Sequence, residues 1–165
     1  MKPIGERDIR LSFVNCSKGE ASRVKLPANF AELRWPDLDF LGWRDPGAPD
    51  RAYLIAERDD SLVGVTLRTT SGRSRNFAAR SMCSLCLTLH TAGGVALMTA
   101  RRTGEAGRRA NSVGQYLCAD LACSLYVRGV KISDAGADLD ETISPDDKIV
   151  RARANLDTFL DKVIR

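Results

Sequence analysis

Four cysteines stand in two pairs whose spacing suits a metal site. The first pair is Cys83-Ser-Leu-Cys86 and the second is Cys118-Ala-Asp-Leu-Ala-Cys123, with 31 residues between the pairs. Zn²⁺ prefers four ligands in a tetrahedron, and two cysteines separated by two residues can turn both sulfur atoms toward one ion. With four thiolates bound, the ion has no position left for water and cannot act as a Lewis acid. The pattern therefore predicts a structural zinc site at Cys83, Cys86, Cys118 and Cys123.

The single histidine leaves a second ligand set open. His90 lies near the first pair. It could replace one of the four cysteines, or it could be an ordinary loop residue outside the metal shell. Four thiolates already complete a tetrahedral shell, so the four-cysteine set is the preferred interpretation. A redox-active dithiol is a further alternative, because a cysteine pair can serve that chemistry without a metal.

Composition favours a cytoplasmic protein. Five cysteines is an odd number for a disulfide framework, and Met1 to Asp8 lacks the apolar run of a secretion signal. No segment approaches the roughly 20 apolar residues that span a bilayer, so no membrane role is expected. A length of 165 residues with 44% apolar side chains fits a single domain over 1–165. The zinc-finger portion is expected at approximately 80–130.

Positive charge is concentrated around the cysteines. Between Arg68 and Lys131 the sequence has ten lysines and arginines against two acids, Glu105 and Asp120, whereas the whole chain carries only +4. A cationic face of this kind attracts an acidic protein surface or a phosphate backbone. The alternative is a solvated arginine-rich surface without a partner.

Hydrophobic periodicity predicts an α+β fold with an antiparallel sheet and a C-terminal packing helix. Strands are predicted at 53–57, 62–69, 76–82, 94–101 and 113–118. Helices are predicted at 8–15, at 119–128 and from Ser144 onward. The segment 33–49 is predicted to be irregular, because proline restricts both its own backbone and that of the preceding residue.

These elements place the cysteines in a treble-clef arrangement. The first pair lies in a knuckle at a strand end, a β-hairpin follows, and the second pair spans the entry to a helix. Cys118 is expected on the turn before the helix and Cys123 in the first helical turns, with Asp120 as the candidate N-cap. The positive end of the helix dipole favours thiolate over thiol at this position.

At these residues the chain resembles the FusB-type proteins that bind elongation factor G, through their C-terminal treble-clef zinc-finger domain. The resemblance rests on Cys83-Ser-Leu-Cys86, Gly94-Val-Ala-Leu-Met-Thr-Ala-Arg101, Gly114-Gln-Tyr-Leu-Cys118-Ala-Asp-Leu-Ala-Cys123 and Asp39-Phe-Leu-Gly-Trp-Arg-Asp-Pro46. It implies that the four paired cysteines are the zinc ligands. It also implies binding of elongation factor G and release of the factor from a stalled ribosome, without turnover of a small-molecule substrate.

One departure from the family limits this transfer of function. The members that confer fusidic acid resistance carry an N-terminal helical bundle, and this sequence is expected to begin almost directly with the zinc-binding part. Factor binding in the family is attributed mainly to the zinc-binding domain, so the resemblance implies that binding survives. Whether the protein confers resistance to fusidic acid without the helical bundle is left open by the resemblance.

Candidate partner-binding residues lie in and near an arginine-rich loop. They are Arg101, Arg102, Arg108, Arg109, Tyr116 and Arg128. Arginine and tyrosine are enriched at interface hot spots because each joins a large contact area to specific hydrogen-bonding groups. Tyr116 could equally be a strand residue that faces the core.

Two other classes of function compete with factor binding. The first is a zinc module that contacts RNA, including ribosomal RNA, directly through its basic face. The second is an enzyme, which is not expected. The sequence has a single histidine and no glycine-rich phosphate loop, and none of its residues stands in a recognisable catalytic motif.

Overall fold

A computed structural model describes residues 1–69, 80–91, 93–135 and 142–165. The strands are β1 Phe40–Asp45, β2 Ala48–Arg58, β3 Ser61–Thr69, β4 Arg80–Met82, β5 Leu89–Thr91, β6 Val95–Arg101 and β7 Ser112–Cys118. Five of them form an antiparallel sheet in the order β1-β2-β3-β6-β7, and β4 pairs with β5 in a separate two-stranded sheet. The helices are α1 Glu6–Ser12, α2 Lys18–Ser22, α3 Gly104–Arg108, α4 Cys123–Val127 and α5 Pro145–Ile164, with 3-10 turns at Phe30–Glu32 and Trp35–Asp37. The predicted α+β class is confirmed.

The predicted hairpin is the centre of the large sheet. Asp59 and Asp60 form the turn between β2 and β3 with φ values of 46° and 60°. Two consecutive positive φ values match the twist of the flanking strands, which is why short polar residues are favoured there. The paired aspartates are therefore explained by turn geometry.

Residues of β2 alternate between two hydrophobic cores. Leu54 belongs to the core that also contains the paired cysteines and the buried face of α5. Its neighbours Tyr53 and Ile55 belong to a second core with Trp43 and Ile9 of α1. Because successive side chains of a strand point to opposite faces, the sheet carries the cysteines on one face and α1 on the other.

The expectation of an irregular segment at 33–49 is wrong for its second half. Phe40–Asp45 is β1, an edge strand paired with β2. The two prolines that favoured irregular structure, Pro36 and Pro46, lie outside the strand and do not interrupt its hydrogen bonds. Burial stabilises the strand because side chains on both faces of β1 are buried, Phe40 in the first core and Leu41 in the second.

Other element boundaries shift by a few residues. The first helix covers Glu6–Ser12 and not 8–15, and Phe13 beyond it forms a single bridge to Gly64. The helix predicted at 119–128 begins only at Cys123. Of the strand predicted at 76–82, positions 76–79 lie outside the described residues and Arg80–Met82 is a strand.

The long C-terminal helix α5 forms as the sequence predicts. The Ser144 side chain accepts a hydrogen bond from the Asp147 amide at the N-cap, and Pro145 occupies the first turn. One face of the helix is buried, with Leu156, Phe159 and further apolar residues on it. No helix in the described ranges is long and apolar enough to cross a membrane.

Candidate metal centre

The fold brings the four paired cysteines together. All four are buried, and their sulfur atoms lie within 4.8 Å of one another. The Sγ atoms of Cys83 and Cys123 are 3.7 Å apart, and those of Cys86 and Cys118 are 3.5 Å apart. Tetrahedral ligands at about 2.3 Å from Zn²⁺ lie about 3.8 Å from each other. The spacing of the sulfur atoms therefore fits one zinc ion, and the predicted zinc cofactor is confirmed.

A tight turn after β4 supplies the first pair. The Leu87 amide donates to the Cys83 carbonyl over 2.9 Å, and the Cys83 amide donates to the Thr88 carbonyl over 3.0 Å. Leu87 takes a φ of 59°, which lets the chain reverse within the turn. The Leu85 amide also lies 3.4 Å from the Cys83 sulfur. An amide N–H aimed at sulfur stabilises the thiolate form that a metal needs.

The end of β7 and the start of α4 supply the second pair. Cys118 is the last residue of β7 and not part of the following turn, whereas Cys123 is the first residue of α4. Leu121 turns the chain between them with a φ of 57°. Asp120 does not act as the helix N-cap; its carboxylate accepts a hydrogen bond from the Ala122 amide over 3.0 Å. The chain between Cys118 and Cys123 therefore completes a hydrogen-bonded turn before α4 begins.

Because the four cysteine thiols are buried, they can all be ionised only when a cation lies between them. Hydrogen bonding from the thiols of Cys118 and Cys123 lowers the pKa of the Cys83 thiol well below its usual range. Hydrogen bonding with Cys118 and Cys83 raises the pKa of the fully buried Cys123 thiol. Four thiolates cannot coexist there alone, because desolvation disfavours each negative charge. A divalent cation supplies the compensating charge, so the donor set fits Zn²⁺.

His90 stands beside the sulfur group. Its Nε2 lies 3.3 Å from the Cys118 Sγ, but the close group of candidate ligand atoms consists of the four sulfur atoms. The imidazole is buried and packs edge-on against the Tyr126 ring, with 4.8 Å between ring centroids. A Cβ on Gly94 would lie 2.5 Å from the His90 Cβ, so only glycine leaves room for the ring. His90 is placed to orient the Cys118 sulfur, as residues around metal ligands commonly do.

Strand β1 braces the second cysteine pair, and sequence reasoning missed this. The Arg44 side chain donates from Nε to the Ala119 carbonyl over 2.8 Å. The Asp39 amide donates to the Ser124 hydroxyl over 3.0 Å, and the Asp39 carboxylate forms a two-pronged ion pair with Arg128. The Asp39–Pro46 stretch quoted for the family resemblance was the available signal. Its contacts with the metal centre cross up to 89 positions of sequence and cannot be read from local spacing.

Helix α5 braces the first pair. The Asn155 side-chain amide donates to the Leu85 carbonyl over 2.9 Å, inside the Cys83–Cys86 turn. Arg58 of β2 holds the same helix through an ion pair with Asp161 at 2.8 Å. Each cysteine pair is therefore fixed by an element that is distant in sequence.

The six predicted partner-binding residues lie in different settings. Arg101 is the last residue of β6. The predicted loop after it contains α3, and Arg108 is exposed at the end of this helix. Arg109 follows α3, is exposed and forms an ion pair with Glu105. Arg102 is partly buried before α3. Tyr116 of β7 is 42% exposed, so its side chain does not face the core. Arg128 is engaged with Asp39 inside the fold.

Comparison with known proteins agrees with this architecture. The model of the family described as FBP C-terminal treble-clef zinc-finger matches residues 8–163. Among solved structures, the chain is similar in fold to the structure of the fusidic acid resistance protein FusC, with a TM-score of 0.55 and 17% sequence identity. The similarity covers 88% of this chain and 54% of the FusC chain, so this chain spans about half the length of FusC. No curated protein matches the sequence.

Proposed function

This chain belongs to the FBP C-terminal treble-clef zinc-finger family, and from that premise we propose that it binds elongation factor G and promotes release of the factor from the ribosome. The observation that carries the proposal is the buried group of four sulfur atoms in a chain that matches this family over residues 8–163. Cys83, Cys86, Cys118 and Cys123 are the proposed zinc ligands. Zinc bound by four thiolates has no open position, which supports a role in binding and not in catalysis.

The proposed role is cytoplasmic, where the factor and the ribosome act. It extends to protection against fusidic acid, because FusC, which shares this fold, is a fusidic acid resistance protein. We further propose that residues 1–165 form one domain with the zinc-finger portion at approximately 80–130. Contacts of α5 with the first cysteine turn and with β2 support a common unit.

The proposed contact surface is centred on the outer edge of the large sheet. Tyr116 is exposed on the edge strand β7, and its backbone carbonyl accepts a hydrogen bond from the Ser84 amide over 2.8 Å. Its backbone is therefore tied directly to the first cysteine turn, so the metal would keep this surface rigid. Arg108 and Arg109, next to β6 and β7, would supply the cationic part of the contact. A rigid aromatic anchor combined with arginines is a typical hot-spot composition.

A pulldown with purified elongation factor G from the same organism tests this proposal. The zinc-loaded protein should retain the factor at micromolar concentration, and Tyr116→Ala should weaken retention about tenfold, the size of a moderate hot-spot loss. Leu11→Ala is the matched control, because Leu11 is 72% exposed on α1. Failure of the zinc-loaded protein to retain the factor would overturn the proposal.

Direct RNA binding through the basic region remains the second candidate, favoured by the ten basic residues between Arg68 and Lys131. Binding of this kind falls steeply as salt rises, because each neutralised phosphate releases counterions. Retention of ribosomal RNA fragments without elongation factor G, together with a steep salt dependence, would favour this candidate over factor binding.

A further inference from the structure

A second polar site lies on the sheet face opposite the cysteines. A cavity of about 140 Å³ opens between α2 and the strands β2, β3 and β6. Its lining includes four arginines from separate segments of the chain, namely Arg23, Arg51, Arg68 and Arg101. Glu20 is the one acidic residue among the described residues that line it. The walls of the cavity are therefore strongly cationic.

The sheet register holds two of these arginines close to each other. Arg51 of β2 lies directly opposite Arg68 of β3. Like charges in this relationship repel each other, and because both side chains are exposed, water or a bound anion can reduce the repulsion. Arg68 has an ion pair with Asp50 at 2.9 Å, but in the part of the chain that the structure describes Arg23, Arg51 and Arg101 form none within 4.0 Å. Glu20 lies near two of them: after its hydrogen bonds with Ser17, the charges of Arg101 and Arg23 also lower its pKa. One carboxylate in the lining therefore faces four guanidinium groups, and the lining keeps an excess of positive charge.

Neighbouring groups add little negative charge. Cys16 lies in the same lining, and burial raises the pKa of its thiol to about 11, so the thiol is neutral at physiological pH. The hydroxyl groups of Thr66 and Thr99 belong to residues of the lining and are additional polar groups. Val24, Tyr53 and Leu67 are further residues of the lining.

We propose that this cavity binds a phosphate group, carried either by an RNA backbone or by a small free polyphosphate. A guanidinium offers its donors in a planar fork that matches two oxygens of an oxyanion. A carboxylate has two oxygens and is satisfied by one or two forks, whereas a tetrahedral phosphate can be approached by several forks from different directions. Four arginines from four segments of the chain line this cavity, and such a set suits the phosphate. Arg23 and Arg51 lie outside the basic region 68–131, and the site does not depend on binding of elongation factor G.

Titration calorimetry with pyrophosphate and fluorescence anisotropy with a short single-stranded RNA test the two sources separately. The zinc-loaded wild-type protein should bind at least one of these probes saturably. Arg51→Gln and Arg101→Gln should each weaken binding about tenfold, the equivalent of one charge-assisted hydrogen bond. Arg7→Gln is the matched control, because it removes the same charge from an exposed position of α1 outside the cavity, and it should leave binding nearly unchanged.

A variant with stronger binding separates the proposal from misfolding. Glu20→Gln removes the acidic group from the lining but keeps a side chain that can accept the Ser17 hydrogen bonds of the α2 capping box. It should tighten binding severalfold, and a damaged fold could not produce that result. Binding of pyrophosphate alone would identify a free polyphosphate as the source, and binding of RNA that pyrophosphate displaces would identify the RNA backbone. Absence of binding to both probes, or equal binding by wild type, Arg51→Gln and Arg101→Gln, would overturn the proposal.

Discussion

Gly42 of β1 lies against Leu121 in the turn between the second pair of cysteines. A Cβ on Gly42 would be 2.6 Å from the Leu121 Cβ and 3.2 Å from the Leu121 carbonyl oxygen. Leu121 is itself buried and held at a positive φ. Neither atom belongs to the flexible end of a side chain, so β1 and this turn would have to move apart to admit a methyl group.

Gly42→Ala should therefore destabilise the protein by about 1–3 kcal/mol, as overpacking of a well-packed contact does. Zinc affinity should fall as well, because the turn that carries Cys118 and Cys123 would shift. Urea unfolding and competition with a chromogenic chelator measure the two effects. Gly19→Ala in α2 is the matched control: its Cβ would meet only the end of the Arg23 side chain at 3.9 Å, and alanine favours a helix. An unchanged stability in Gly42→Ala would contradict the close packing of β1 on the turn.

Loss of one sulfur ligand should lower metal content and stability together. Cys83→Ser leaves three thiols in a buried site and should reduce bound zinc from about one ion per chain to a small fraction, with a loss of several kcal/mol. Elemental mass spectrometry on untagged protein and thermal unfolding check the two outcomes. Cys16→Ser is the matched control, because Cys16 lies on the other face of the sheet and its loss should leave zinc content unchanged. Full zinc content in Cys83→Ser would contradict the four-cysteine site.

The ion pair between Arg128 and Asp39 should be structural. The Arg128 Nη2 lies 3.0 Å from the Asp39 Oδ1, and the two side chains are 21% and 9% exposed. Arg128→Ala should destabilise the protein by about 2 kcal/mol, a value between those of exposed and fully buried pairs. Arg109→Ala is the comparison, since the Arg109–Glu105 pair is exposed on both sides and should contribute little. If the two variants were equally stable, the prediction of a structural role for Arg128 would be wrong.

Sequence spacing was sufficient to predict the group of four cysteines because each cysteine turn is a local structure. Cys83 and Cys86 are held by hydrogen bonds within six residues, from Cys83 to Thr88. The residue types and their spacing in the sequence are therefore sufficient to predict such a turn. The helix α5 was predictable for the same reason, since its N-cap and apolar stripe repeat at local spacing.

The supports of the metal centre were not predictable in this way. Arg44 reaches Ala119 across 75 positions, and Asn155 reaches Leu85 across 70. β1 was missed because its flanking prolines resemble turn signals, while burial on both of its faces becomes visible only when the neighbouring strand is in place. The arginine-lined cavity was missed because it depends on the register that sets Arg51 opposite Arg68.

Acid should weaken the fold through Asp45, which lies near the start of the β1–β2 connection. Its carboxylate accepts hydrogen bonds from the Tyr53 hydroxyl and from the Gly47 amide, both at 2.8 Å. Burial acts to raise the pKa of Asp45, but these hydrogen bonds outweigh it and leave the pKa below its ordinary value. A lowered pKa in the folded state stabilises the protein above the unfolded-state value of about 3.9, and this contribution is lost as pH falls through the folded-state pKa. Tyr53→Phe removes the side-chain donor, so wild type should exceed the variant in stability at pH 7 and lose most of that advantage in strong acid. Urea unfolding from neutral to acidic pH measures the difference, and a gap that stays constant across the range would show that the Asp45 charge contributes nothing.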